Sequence, residues 1–197
     1  NKKSTVSSVK ELSEKSDIIF LCLPTPMKKN GSCDLSIIES TLTELNDYNL
    51  SHTIVIKSTV QVGTTDKFSN QYSNLSFVFN PEFLTEANFI EDFKNQDRII
   101  IGSNSDDSAN IIEKLYREIY SNSEVKIRKT NAINAELVKY ITNTFLSVKV
   151  SFANEIHNFA EQVGADYKES IELAMLDSRL GNSHWMVPGP DGKKGYG

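Results

Sequence analysis

The stretch from Thr130 to Val163 contains neither Gly nor Pro, and such continuity leaves little room for anything but one long helix. At 1.5 Å per residue it spans about 50 Å. That exceeds the needs of a small domain, so the helix is expected to leave one domain and form the core of the next, with Thr130 capping its start and Gly164 its end. Spacing at 100° intervals gathers Leu137, Val138, Ile141, Phe145, Val148, Phe152, Ile156, Phe159 and Val163 on one stripe, which reads as a buried face. Glu136, Lys139 and Asn143 share another line at i, i+3 and i+7, continued by Leu146 and Val150. On helix geometry alone this line is a solvated face with an ion pair. Burial of its second half against another domain or subunit would instead leave Lys139 and Asn143 at the mouth of a cleft.

Of 197 residues, 39% are hydrophobic and 24% charged, ordinary values for one large or two small globular domains. A net charge of -5 gives no electrostatic footprint for nucleic acid or an anionic membrane. The longest apolar run, Ile18 to Leu23, is too short to cross a bilayer, and no signal peptide opens the sequence. Cys22 and Cys33 have neither paired spacing nor a His cluster, which fits a reducing compartment and calls for no metal. Cytoplasmic localisation is expected. The first residue is Asn1 and the last ones are Gly-Tyr-Gly, so the chain reads as a piece open at both ends.

Along the chain, strand and helix patterns alternate. A helix near residues 8–15 leads into Asp17 to Leu23, an unbroken apolar run of the kind found in a central parallel strand. Asp34 is read as the cap of a helix carrying Leu35, Ile38, Leu42 and Leu45. Strands follow at Thr53 to Lys57, Leu75 to Phe79, Arg98 to Ile101 and Val125 to Arg128. Val62-Gly63-Thr64-Thr65 opens a short helix, and Ser105/Asp106 cap another that runs through Ile111, Ile112, Leu115 and Ile119. The fold class is therefore α/β: a Rossmann-like parallel sheet over 1–129, incomplete at its N-terminus, followed by an all-helical part over 130–197.

In such sheets ligands bind beyond the carboxyl ends of the strands, and three strand ends carry unusual residues. The first is Pro24-Thr25-Pro26, two prolines flanking a hydroxyl. The second is Ser58-Thr59-Val60 ahead of Gly63. The third is Asn80-Pro81-Glu82-Phe83-Leu84-Thr85-Glu86, read as an N-cap, a proline at the first helical position and two carboxylates on one helix face. A carboxylate pair near a lysine can do acid/base work. At the far end, Arg179, Lys193, Lys194 and Tyr196 lie among glycines and prolines. That stretch is either a linker or a loop closing over phosphate and sugar.

This ordered set resembles the UDP-glucose 6-dehydrogenases within the nucleotide-sugar dehydrogenase family, over essentially the whole chain. The matching pieces are Leu23-Pro-Thr-Pro26, Lys57-Ser-Thr-Val60 with Gly63, Asn80-Pro-Glu-Phe-Leu84 with Glu86, and Asp97-Arg98 with Gly102. After them come Thr130, Ala135-Glu136, Lys139-Tyr140, Asn143, Phe145-Leu146, Asn154-Glu155, Asp177 with Arg179, and Gly195-Tyr-Gly197. The resemblance implies an NAD-binding domain followed by a central domain that dimerises through the long helix. It implies oxidation of the C6 alcohol of a UDP-sugar to the acid in two hydride transfers.

Residue by residue, the resemblance places Pro24, Thr25, Pro26, Ser58, Thr59, Val60 and Glu86 at NAD. It gives Thr59, Glu82, Lys139 and Asn143 to catalysis, Glu82 as acid/base and Lys139 with Asn143 as oxyanion donors. Glu82, Phe83, Leu84, Thr85, Glu86, Lys139, Asn143, Tyr196 and Gly197 would meet the sugar nucleotide, as would Arg179, reaching that of a neighbouring subunit.

Beside small departures at Ala87 and Gln96, the sequence departs from the family pattern in two places that matter. No Gly-rich dinucleotide fingerprint precedes Ile18. The family's nucleophilic Cys would follow the final Gly-Tyr-Gly, so the chain by itself is expected to be inactive. Two other readings are a β-hydroxyacid dehydrogenase of the 6-phosphogluconate type and a non-catalytic nucleotide-sugar binding or dimerisation module. The former needs no carboxylate pair like Glu82/Glu86.

Overall fold

The computed structural model describes residues 5–6, 8–85, 88–121, 124–190 and 192–193. The chain separates into two compact units, Asn1–Phe83 with Phe93–Lys139, and Leu84–Asp92 with Tyr140–Gly197.

The first unit is a five-stranded sheet in the order β1 (Ile18–Leu21), β2 (His52–Ile56), β3 (Leu75–Phe79), β4 (Arg98–Gly102) and β5 (Lys126–Thr130). Its helices are α1 (Val9–Lys15), α2 (Ser36–Asp47), α3 (Thr64–Gln71) and α5 (Asp106–Ile119), and the short α4 (Phe89–Lys94) spans the boundary between units. β2 shows why the sheet is covered on both sides. Successive side chains alternate between faces, so Ile54 and Ile56 join Ile38, Leu42, Leu45 and Phe68 in one buried cluster. Val55 joins Ile99, Ile101, Ile112 and Tyr116 in the other.

The sheet is mixed rather than wholly parallel. β1, β2 and β3 run together, β4 and β5 run together, and β4 meets β3 in antiparallel sense at the single pair Phe79↔Gly102. Ser103 Oγ donates to Phe77 O at 2.8 Å and Asn80 Nδ2 to Ile100 O at 2.7 Å. Arg98 stacks 4.2 Å from the Phe83 ring centroid. These contacts set residues 80–83 beside β4 as a continuation of β3. Asn80 therefore caps no helix and Glu82 lies in no first turn, because residues 80–85 are irregular. The amide that would cap a helix is used across the sheet, so Glu82 stands on no helical face, and Glu86 lies outside the described residues.

Three smaller expectations shift as well. β1 is at the end of the described strand order, with Phe20 37% exposed, because its apolar run is long enough for a strand but does not state its neighbours. Asp34 accepts from Ser36 N at 3.0 Å, while Leu35 occupies the cap position of α2. Thr130 ends β5, and Asn131 Oδ1 accepts from Asn134 N at 2.8 Å to cap the long helix.

That helix, α6, is continuous over Ala132–Val163 and passes from one unit into the other. Within the first unit it packs tightly on β4. A Cβ added to Gly102 would lie 2.3 Å from Ala135 Cβ. Its burial reverses the expected pattern: Glu136 and Lys139 are buried, while Leu137, Ile141, Phe145, Val148, Phe152, Phe159 and Val163 are exposed. Hydrophobic periodicity locates a face that requires cover but not what supplies it. The second unit adds α7 (Tyr167–Ala174), capped by Asp166, and a 3-10 turn at Ser178–Leu180. Its core joins Ala153, Ile171 and Trp185.

Candidate active site

The carboxyl ends of β1 and β2 are tied together by side chains from the expected cofactor stretches. Ser58 Oγ accepts from Leu23 N at 2.9 Å and donates to Leu23 O at 2.7 Å. Thr25 Oγ1 donates to Thr59 O at 2.8 Å. Pro24, Pro26 and Thr59 are exposed, Thr25 is half-buried, and Ser58 and Val60 are buried. Ser58 thus braces the rim, and both it and Val60 are withdrawn from the surface. The exposed prolines and Thr59 leave a polar, open rim beyond adjacent parallel strands, which suits a dinucleotide.

Beyond β3, the segment carrying Glu82 is fixed by buried polar contacts. Lys57 Nζ donates to Asn80 Oδ1 at 3.0 Å and to Asn80 O at 3.3 Å. Tyr116 donates its hydroxyl proton to Asn80 Oδ1 at 2.5 Å. Burial holds the Lys57 ammonium below the usual lysine range, with Lys139 adding to the effect and Cys22 and Glu82 opposing it. Burial likewise pushes the Tyr116 phenol well above its ordinary value.

Two residues farther on, Glu82 meets the long helix. Lys139 Nζ donates to the Glu82 backbone carbonyl at 2.5 Å and to its carboxylate at 3.0 Å, and lies 5.5 Å from the Phe83 ring centroid. The Lys139 side chain is 6% exposed and that of Glu82 33% exposed. A nearly buried ammonium beside a reachable carboxylate is suited to stabilising a developing oxyanion and to moving a proton.

Glu136 has a different task from the ion pair its spacing suggests. Fully buried, it accepts from Gly63 N at 2.5 Å, Thr65 N at 2.8 Å and Thr65 Oγ1 at 2.6 Å. It caps the first turn of α3 from the long helix. Gly63 makes this possible, since its φ of 91° lies in the left-handed region.

The remaining expected residues are distributed through the second unit. Leu84 is half-buried, and Thr85 donates from its backbone N and its hydroxyl to Asp92 Oδ2 at 2.8 and 2.5 Å. Asn143 is an exposed residue of α6. Arg179, its side chain 86% exposed, is paired with Asp177 at 2.5 Å. Glu86, Lys194, Tyr196 and Gly197 lie outside the described residues. Lys57 and Tyr116 were not among the expected site residues. The placement of Lys57 in the Lys57-Ser-Thr-Val60 stretch was the only signal for it, and Tyr116 gave none beyond its helical face.

Residues 1–120 match the model of the UDP-glucose/GDP-mannose dehydrogenase family NAD binding domain, and residues 133–194 match that of the family's central domain. The chain belongs to the UDP-glucose/GDP-mannose dehydrogenase family. Among curated relatives, it is 38% identical over 174 residues to UDP-glucose 6-dehydrogenase TuaD of Bacillus subtilis, covering 84% of this chain and 37% of TuaD. It is 36% identical over 192 residues to the UDP-glucose 6-dehydrogenase of Rhizobium meliloti, covering 92% of this chain and 43% of the relative.

Among solved structures, the UDP-glucose dehydrogenase of Pyrobaculum islandicum superposes with a TM-score of 0.81 at 31% identity, over 91% of this chain and 43% of that one. A GDP-mannose dehydrogenase from Pseudomonas aeruginosa gives 0.81 at 31% identity, over 92% and 44%. The chain thus spans about two fifths of the length of these family members. The Rossmann-like NAD-binding assignment is established by this membership. Among the described residues, no helix is long and apolar enough to cross a membrane.

Proposed function

We propose that the chain supplies the NAD-binding domain, over 1–129, and the helical dimerisation and substrate domain, over 130–197, of a cytoplasmic UDP-sugar dehydrogenase. Its reaction is oxidation of the C6 alcohol to the acid in two hydride transfers, on UDP-glucose above other nucleotide sugars. The observation that carries the reading is the buried Lys139 ammonium held on Glu82, in a segment that continues the strand β3. The curated relatives named UDP-glucose 6-dehydrogenase support the hexose. The two solved structures do not discriminate, since a UDP-glucose and a GDP-mannose enzyme are equally similar.

In this reading the rim of Pro24, Thr25, Pro26 and Thr59, supported from below by Ser58 and Val60, binds NAD together with the carboxylate of Glu86. When bound, NAD supplies the hydride acceptor. Glu82 takes the proton of the C6 hydroxyl and returns one when water enters. Lys139 and the Asn143 amide stabilise negative charge on the C6 oxygen. Phe83, Leu84, Thr85, Tyr196 and Gly197 frame the sugar nucleotide, and Arg179 answers its phosphates from a neighbouring subunit. The exposed stripe of α6 is the face through which two copies pair.

Reduction of NAD by the intact protein carrying this chain tests the reading. Two equivalents of NADH per UDP-glucose are expected, with weaker turnover of GDP-mannose. Turnover of a β-hydroxyacid but of neither nucleotide sugar would refute it.

A further inference from the structure

In the second unit a lysine is buried far along α6 without any expected role. Lys149 is 9% exposed. Its Nζ donates to Leu180 O at 2.8 Å and sits 4.6 Å from the Trp185 ring centroid. Trp185 completes the clamp: its Nε1 donates to Gly181 O at 2.9 Å, its carbonyl accepts from Tyr167 Oη at 2.7 Å, and its ring meets Phe152 edge-on at 6.1 Å. A buried ammonium with one carbonyl and one aromatic face is costly to desolvate unless it fixes something. The charge also reaches His184, whose imidazole is held below its ordinary value by burial and then by Lys149.

What the clamp fixes is the turn at Ser178–Leu180. Leu180 and Gly181 are bound from beneath by Lys149 and Trp185, and Gly181 adopts a φ of 60°. On the outer side, Asp177 caps the turn through Arg179 N at 3.1 Å and holds the guanidinium through Nε at 2.9 Å. Arg179 is therefore exposed but not free to roam. Ordering a rotamer-rich arginine before a ligand arrives removes part of the entropy cost of binding.

We propose that Lys149 is a positioning residue: by fixing the Ser178–Leu180 turn against Trp185 it presents Arg179 to the diphosphate of a sugar nucleotide that Lys149 itself never touches. The ligand named here rests on the function proposed above, whereas the clamp does not. Trp185 is the single tryptophan of the chain, so its fluorescence reads the clamp without reference to activity.

In Lys149→Met, acrylamide quenching of Trp185 should rise severalfold while far-UV circular dichroism stays that of the wild type. Lys149→Arg should restore low quenching, since a guanidinium can also donate to Leu180 O and stack on the indole. If Met at this position unfolds the chain, Lys149→Gln keeps a donor without the charge and should raise quenching to a smaller extent. Calorimetric titration of the intact protein should show UDP-glucose bound about tenfold more weakly by Lys149→Met, equivalent to about 1.4 kcal/mol, and near normally by Lys149→Arg.

Unchanged quenching in folded Lys149→Met or Lys149→Gln overturns the clamp. Unchanged UDP-glucose affinity in a variant with raised quenching overturns the positioning of Arg179. A wild-type protein that binds no UDP-glucose removes the functional reading, and with it the ligand assigned to Arg179.

Discussion

At the scale of single residues, the site depends on ionic groups withdrawn from water and held by specific partners. Lys57 shows the consequence. Its folded-state proton affinity is depressed by burial, so between that depressed value and the usual lysine value the unfolded chain binds the proton more tightly. The cost of burying the charge is fully present below this window and is lost as pH rises through it. Stability of the wild type relative to Lys57→Met should therefore improve from neutral pH toward about pH 10, read as the difference in urea midpoints. A difference independent of pH would contradict this. At neutral pH the substitution should still cost about 1–3 kcal/mol, because Asn80 loses its charged donor. The segments that carry Glu82 and Lys139 each stood out in the sequence, but their contact joins positions 57 residues apart and only the fold reveals it. Asn80 was misread because a residue suited to capping is equally suited to bracing a sheet, and only the neighbours Ile100 and Tyr116 decide.

Among the elements, the helical spacings of α2 and α5 and the apolar runs of the strands were legible because each is set by a short-range periodicity. The reversal of β4 was not, since strand direction depends on the path of residues 80–97 and no local pattern records it. Glu136 is the sharper case: its partners Gly63 and Thr65 are 73 and 71 residues away. By joining α6 to the start of α3 it couples the long helix to the loop after β2. Glu136→Ala leaves two backbone N–H groups and a hydroxyl without their acceptor and should destabilise the protein by about 3 kcal/mol. Glu136→Gln should cost less, as an amide oxygen still accepts. Thermal unfolding checks both, and an alanine variant that melts with the wild type would remove the capping role.

For the whole molecule, the exposed stripe of α6 requires explanation. Phe145, Val148, Phe152 and Phe159 are 67%, 62%, 53% and 58% exposed on one helix, and runs of large apolar side chains of this kind mark association surfaces. Light scattering should find a dimer, and Phe145→Asp with Phe152→Asp should give a monomer. A wild-type protein that stays monomeric at high concentration would refute dimerisation through this helix. The stripe was readable from periodicity, but its partner was not, because a sequence shows an apolar face and not the surface that covers it.

The chemistry proposed for the assembled enzyme rests on Lys139 acting on the transition state more than on ground-state binding. Steady-state kinetics of Lys139→Ala at saturating NAD and UDP-glucose measure this most directly. The expected result is a kcat lowered by about two to three orders of magnitude, the scale of a lost oxyanion donor, with a small change in UDP-glucose affinity and poor rescue by Lys139→Arg. A kcat near that of the wild type, with only stability or dimerisation impaired, would make Lys139 a structural partner of Glu82 and contradict the account.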